Sequence, residues 1–158
     1  MLPACASVLV VEAQLDVLEA IQAALEFEGY GVAAVIGAKG ALEALARMGR
    51  PGLVLLDETL PEMERARLIR FIRQEPTLRS VPIVLLSVDE HIRLPEVQAV
   101  LRKPFNLDRL YTVVRTHCEP LREEPRREEG PARTAFTQAA GPEDEVGAAE
   151  RWRGVSRK

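Results

Sequence analysis

The sequence LVLLDETLPEM, from Leu53 to Met63, gives the clearest indication of how this chain folds. It places an acidic residue, Asp57, directly after four aliphatic residues and then leads into a proline. A short continuous aliphatic run is typical of a strand that is buried on both faces, as in a parallel sheet. Because an uncompensated carboxylate is costly to bury, we expect Asp57 at the end of the strand, where it either caps a turn or takes part in chemistry.

Short aliphatic runs alternate with segments of helical period from residue 7 to residue 118. The predicted strands are SVLVVE, YGVAAVI, LVLLD, PIVLLS and VQAVLRK, and the predicted helices are QLDVLEAIQAALEFEG, AKGALEALARM, ERARLIRFIRQE and NLDRLYTVVRTHC. Gly29 is a predicted helix C-cap and Asn106 a predicted N-cap. Repeated β-α units with strands that are apolar on both faces predict an α/β fold of the flavodoxin-like, doubly wound type. Its five-stranded parallel sheet should have the order 2-1-3-4-5.

One crossover in this pattern is too short for a full helix. Only residues 88–96 lie between the fourth and fifth predicted strands, whereas a parallel crossover with its helix takes roughly 10–12 residues or more. Pro95 within the segment also disfavours a helix. We therefore expect a shortened fourth helix of at most about two turns, or irregular backbone.

The composition limits the classes of function. The chain has 158 residues, of which 47% are hydrophobic, and a net charge of -3, so it lacks the basic excess of a nucleic-acid-binding protein. It has no run of 18 apolar residues that would span a membrane. Cys5 and Cys118 lie far apart and are typical of free thiols in a reducing compartment. We predict a cytoplasmic protein whose partners are neither nucleic acid nor membrane.

Two regions differ in composition. Residues 7–118 carry the alternating pattern and form the predicted domain. Residues 119–158 are rich in proline, glycine and mixed charge and poor in aliphatic residues, which predicts a disordered charged C-terminal tail. Val146, Ala149 and Trp152 have a loose helical spacing that could dock on a partner, although a fully solvated tail is the simpler interpretation.

Four residues with reactive or charged side chains stand at predicted strand ends: Glu12, Asp57, Ser87 and Lys103. The carboxyl ends of parallel strands meet at one edge of such a sheet. A carboxylate there can accept a phosphoryl group as a nucleophile, and a lysine and a hydroxyl can hold the phosphoryl oxygens. Neighbouring acids can hold Mg²⁺. Taken singly, each residue also has a structural interpretation, as a turn former, a strand exit or a surface charge.

With these residues in this order, the chain resembles the receiver domain of two-component response regulators. The motifs VLVVEA, PGLVLLDETLPEM, PIVLLS and LRKPF carry the resemblance, which covers residues 7–118. It implies that Asp57 is the phosphoacceptor and that Ser87 and Lys103 contact the phosphoryl group. It further implies a signalling phosphoprotein that is not an enzyme. Its partners would be a histidine kinase or phosphotransfer protein and a downstream protein.

The resemblance also implies a magnesium site and a cis peptide bond. The metal ligands would be Glu12, Asp57 and the backbone carbonyl of Thr59. The peptide bond between Lys103 and Pro104 would be cis, which an X-Pro bond permits.

Three positions depart from the family pattern. The family has two adjacent acids after the first strand, where this chain has Glu12 and Ala13; Arg65 replaces a glycine and Val100 replaces an aromatic residue. Three acids with one lysine would carry a charge of -2, which Mg²⁺ balances, whereas the present set carries -1. We therefore predict weak Mg²⁺ binding. The departures leave a second hypothesis open: a pseudo-receiver that binds partners without phosphorylation.

Overall fold

The computed structural model describes residues 7–120, in which strands and helices alternate. In chain order the elements are β1 Ser7–Glu12, α1 Leu15–Phe27, β2 Gly31–Ile36, α2 Gly37–Met48, β3 Leu53–Asp57, α3 Glu62–Gln74, β4 Ile83–Ser87, β5 Ala99–Arg102 and α4 Leu107–His117. All five predicted strands and the four longer predicted helices are present. The bounds of β1 and β3 are those predicted.

The strands form one parallel sheet in the order β2-β1-β3-β4-β5, so the predicted fold is confirmed. Successive side chains of a strand point to opposite faces, and both faces are covered here. Leu9 and Leu56 pack with α2 and α3, whereas Val10 and Leu55 pack with α1 and α4. The three central strands are therefore almost completely buried, which explains their continuous aliphatic runs.

Two helix ends have the capping residues that the sequence predicts. Gly29, just after α1, has a φ of 91°, a left-handed conformation that favours glycine. The side chain of Asn106 accepts a hydrogen bond of 2.9 Å from the backbone N–H of Arg109 at the start of α4. This N-cap satisfies one of the N–H groups that the first helical turn leaves unpaired.

The connection between β4 and β5 contains no helix, since residues 88–98 form only turns and irregular backbone. The predicted limit on its helical length is thereby confirmed, and the shortened helix is replaced by turns. Arg73 of α3 braces this connection. Its guanidinium donates to the carbonyl of Val81 at 2.7 Å, to the carbonyl of Glu96 at 2.6 Å and to the side chain of Gln98 at 3.0 Å.

The predicted tail, residues 119–158, lies outside the described residues except for Glu119 and Pro120, and so does its Val146–Trp152 patch. The backbone N–H of Glu119 donates to the carbonyl of Gly52 at 3.0 Å, and its carboxylate pairs with Arg50. The chain therefore leaves α4 toward the amino end of β3, the edge of the sheet opposite Asp57. Within residues 7–120, no helix is both long and apolar enough to cross a membrane.

Candidate functional site

The carboxyl ends of four strands meet at one edge of the sheet. Glu12 ends β1, Asp57 ends β3, Ser87 ends β4, and Lys103 directly follows β5. The backbone N–H of Lys103 donates to the carbonyl of Ser87 at 2.8 Å, which keeps the last two strand ends together. The structure thus brings the residues that the sequence singles out to a common edge.

Three of these side chains, Glu12, Asp57 and Lys103, form a cluster that we call the carboxylate cluster. The ammonium nitrogen of Lys103 lies 3.1 Å from Oδ1 of Asp57 and 3.1 Å from Oε2 of Glu12. Both carboxylate side chains are 0% exposed, and the lysine side chain is 19% exposed. Because a buried charge needs a partner, the ammonium of Lys103 offsets part of the cost of burying the two carboxylates.

Asp57 is held by donors on both of its oxygen atoms. Besides Lys103, Oδ1 accepts from the backbone N–H of Thr59 at 3.0 Å, and Oδ2 accepts from the N–H of Ala13 at 3.2 Å and the hydroxyl of Thr59 at 2.5 Å. Burial raises the pKa of Asp57, but its hydrogen bonds with Glu12, Thr59 and Lys103 together outweigh burial and lower it well below the ordinary value of 3.8. Asp57 is therefore an ionised carboxylate at neutral pH.

Thr59 contributes more to this site than its sequence position indicated. The resemblance assigned only its backbone carbonyl, as a metal ligand. In the structure its hydroxyl and its backbone N–H both donate to Asp57. An aspartate side chain commonly accepts a hydrogen bond from the backbone N–H two residues later in a turn. The Asp-x-Thr spacing after a strand therefore indicates this contact of Thr59.

The surroundings of Glu12 shift its pKa in the opposite direction to that of Asp57. Its Oε1 accepts from the backbone N–H groups of Ala13 at 3.1 Å and Gln14 at 3.4 Å, and Oε2 accepts from Lys103. Burial, followed by the hydrogen bond with the Asp57 carboxylate, raises the pKa of Glu12 above its ordinary value of 4.5 despite the attraction of Lys103. The folded state therefore holds the proton of Glu12 more tightly than the unfolded chain does.

This raised pKa predicts a specific pH dependence of stability. The stabilising contribution of the Glu12 proton is fully present below pH 4.5 and is lost as the pH rises through the folded-state pKa. The free energy of unfolding should therefore fall as the pH rises through this range. We expect Glu12→Gln, which cannot titrate, to remove the fall, and urea unfolding at pH values from about 4 to 8 measures the free energy in both proteins. Glu19→Gln, at an exposed position of α1, should keep the fall, and a fall that persists in Glu12→Gln contradicts the prediction.

Ser87 lies at the same edge but makes no hydrogen bond to the carboxylate cluster. Its hydroxyl donates to the side chain of Glu58 and accepts from the backbone N–H of Asp89 at 2.9 Å. Ser87 is 1% exposed. Sequence reasoning did not single out Glu58, because nothing in its local context indicates a partner 29 residues further along the chain.

The departures from the family pattern have structural counterparts. Ala13 is exposed, and its N–H donates to both Glu12 and Asp57. The guanidinium of Arg65 donates to the backbone carbonyl of Glu58. Val100 is partly buried against the hydrophobic core. The Lys103–Pro104 peptide bond is cis.

The donor atoms at this edge have the chemistry that Mg²⁺ prefers, although there are few of them. Carboxylate oxygens from Glu12 and Asp57 stand together, and Mg²⁺ in proteins is bound through one or two carboxylates with water and phosphate oxygens completing its shell. Residues 7–120 contain no group of three or more Asp, Glu, His or Cys side chains that could hold a metal. The residues present therefore fit a hydrated Mg²⁺ that has few protein ligands. Lys103 competes with the metal for the two carboxylates.

Comparison with known sequences gives one consistent family. Residues 8–115 match the family described as response regulator receiver domain. The polar-differentiation response regulator DivK of Brucella anthropi is 27% identical over 119 residues, which cover 70% of this chain and 94% of DivK. The transcriptional regulatory protein CseB of Streptomyces avermitilis is 41% identical over 80 residues, which cover 51% of this chain and 32% of CseB.

Solved structures agree with this result. The chemotaxis protein CheY4 of Vibrio cholerae has the same fold, with a TM-score of 0.64 and 21% identity over 72% of this chain and 99% of CheY4. The receiver domain of a sensor histidine kinase from Pseudomonas aeruginosa has a TM-score of 0.63 and 27% identity, covers 72% of this chain and 98% of its own, and holds a magnesium ion in its active site cleft. The resemblance predicted from the sequence is confirmed.

Proposed function

The chain belongs to the response regulator receiver domain family, and we propose that Asp57 accepts a phosphoryl group from a histidine kinase or a phosphotransfer protein. Receiver domains are signalling modules of two-component phosphorelays. The observation that carries the proposal is an ionised, buried carboxylate at a strand end with an ammonium group at 3.1 Å. Such a carboxylate is a nucleophile that the site keeps in position.

This geometry supports the following transfer step. An oxygen of Asp57 attacks the phosphorus of a phosphohistidine, a new O–P bond forms, and the N–P bond breaks with its electron pair leaving on the imidazole. Lys103 then neutralises part of the charge on the phosphoryl oxygens. Ser87 completes the set by donating its hydroxyl to one of these oxygens. The Thr59 hydroxyl donates a hydrogen bond to Oδ2 of Asp57. When Oδ2 is the attacking oxygen, Thr59 must release it.

Magnesium is the cofactor of the proposed transfer, and we expect its binding to be weak. Glu12, Asp57 and the backbone carbonyl of Thr59 would hold it, and the bound ion would neutralise charge on the phosphoryl oxygens. Support comes from the paired carboxylates and from the magnesium ion in the related Pseudomonas receiver domain. The weakness follows from Ala13, which supplies no carboxylate, and from Lys103, which already bonds both acids.

The phosphodonor partner would approach over the edge of the sheet. A groove of about 700 Å³ lies between α1 and α4 and includes Lys103 in its lining. Val17, Ile21, Phe105 and Leu110 give it an apolar surface next to the carboxylate cluster. Because Lys103 lines this groove and also bonds Asp57, we propose that the kinase or phosphotransfer protein packs here. The compartment proposed for the pair is the cytoplasm.

Labelling with a small phosphodonor tests the proposed function directly. We expect incubation of the full chain with acetyl phosphate and Mg²⁺ to add one phosphoryl group, measured by intact mass. Asp57→Asn should abolish the label, whereas Asp89→Asn, outside the carboxylate cluster, should retain it. The pseudo-receiver would be favoured if the wild type takes up no label and also binds no histidine kinase or phosphotransfer protein. None of the comparisons supports that alternative.

A further inference from the structure

Glu58 holds the hydroxyl group that the phosphorylated site would need. The Ser87 hydroxyl donates to Oε2 of Glu58 and also lies 3.1 Å from the carbonyl of Asp89, while it accepts from the N–H of Asp89. A serine hydroxyl has one proton to donate. While Glu58 accepts that proton, none remains for a phosphoryl oxygen on Asp57.

We propose that Glu58 is a latch that keeps Ser87 from the phosphoryl group until phosphorylation displaces it. This inference rests on the proposed function, because it concerns the same phosphoryl site. It makes Glu58 a positioning residue: it acts through Ser87 and does not touch the transferred group. Phosphorylation must then provide a better acceptor than a carboxylate before Ser87 changes partner.

The backbone around Glu58 is fixed in the position that the latch requires. The N–H of Glu58 donates to the carbonyl of Leu86 at 2.9 Å, in continuation of the β3–β4 ladder. The carbonyl of Glu58 accepts from the guanidinium of Arg65. Both sides of this residue are thereby tied, one to the strand that carries Ser87 and the other to α3. Its carboxylate can reach Ser87 without a further loss of backbone freedom.

Charge makes the latch strong. A hydrogen bond to an ionised acceptor is about twice as strong as one between neutral groups. The phosphoryl group that competes for Ser87 is itself an anion, and the Glu58 carboxylate beside Ser87 repels it. The hydrogen bond opposes the capture of Ser87 by a phosphoryl group, and the charge repulsion opposes binding of the phosphoryl group itself. They are separable, because the first depends on Ser87 and the second does not.

Beryllofluoride, which forms a tetrahedral mimic of a phosphoryl group on a carboxylate, provides the test. Its affinity for the full chain in the presence of Mg²⁺ is measured by fluorine NMR titration. We expect Glu58→Ala to raise this affinity by about tenfold, which corresponds to ~1.4 kcal/mol. Glu58→Gln, which keeps an acceptor oxygen without the charge, should give a smaller gain.

Two comparisons decide whether the effect passes through Ser87. In a Ser87→Ala background, Glu58→Ala should give a clearly smaller gain, since only the charge repulsion is then relieved and the latch has nothing left to hold. Glu62→Ala removes the same charge from an exposed side chain at the start of α3 and should leave the affinity unchanged. Urea unfolding of every variant verifies that each one is folded.

Each outcome has one consequence. No gain in Glu58→Ala overturns the latch and leaves the proposed function intact. An equal gain in the Ser87→Ala background also overturns it, because charge repulsion alone then explains the result. If folded wild type and folded variants all fail to bind beryllofluoride at Asp57, the proposed function fails and the latch fails with it.

Discussion

Replacement of Lys103 by methionine is expected to lower the free energy of unfolding at pH 7 by about 3–5 kcal/mol, the usual cost of removing one partner of a buried ion pair. The Lys103 ammonium is within 3.1 Å of both Glu12 and Asp57, whose side chains are fully buried. Methionine has a similar length and fills the same space, so the loss measures the charge and not the packing. Urea unfolding at constant ionic strength gives the value.

The pH dependence of this deficit identifies its cause. Without Lys103, the pKa of Glu12 should rise further, because the ammonium is the group that lowers it. The folded variant then takes up a proton as the pH falls from 7 toward 4.5, so the deficit relative to the wild type should narrow over this range. Lys39→Met, at an exposed position of α2, should change stability by no more than about 0.5 kcal/mol. A deficit that stays constant with pH would show that uncompensated carboxylates are not its source.

The sequence predicts the fold and the composition of the site because both depend on local patterns. A continuous aliphatic run such as Leu53–Leu56 is stable in the interior of a parallel sheet, where both faces are covered. The carboxyl ends of such strands lie at one edge of the sheet. Asp57 and Lys103 can therefore be assigned to that edge from their positions alone. The cap at Asn106 is equally local, since its partner is three residues away.

The contacts that tune the site could not be predicted in the same way. The bond between Glu58 and Ser87 joins residues 29 positions apart, and whether it forms depends on side-chain rotamers at two neighbouring strand ends. Arg73 is similar: it donates to the carbonyl of Glu96, 23 residues away, in a connection that contains no helix. A surface glutamate or arginine looks the same in a sequence whether or not it has such a partner.

The second large effect concerns the missing acid at position 13. We expect Ala13→Asp to raise the affinity for Mg²⁺ at least about tenfold, equivalent to ~1.4 kcal/mol. The backbone N–H of Ala13 lies within 3.2 Å of oxygen atoms of both Glu12 and Asp57, so we expect a carboxylate added at this exposed position to come close to the other two. Three carboxylates with Lys103 carry a charge of -2, which a divalent cation balances, and Mg²⁺ prefers oxygen ligands.

The same substitution should lower the stability of the metal-free protein, because a third negative charge would crowd one site. Titration calorimetry with Mg²⁺ and urea unfolding in a chelating buffer measure the two effects separately. Ala13→Asn adds an oxygen of the same reach without charge and should produce neither effect in full. Labelling of Asp57 by acetyl phosphate should accelerate in Ala13→Asp in parallel with metal affinity.

Equal affinities in the wild type and Ala13→Asp would mean that Glu12 already supplies the ligand that the metal needs, or that Lys103 keeps the carboxylates from binding the metal. In either case the charge of the carboxylate cluster would not limit magnesium binding.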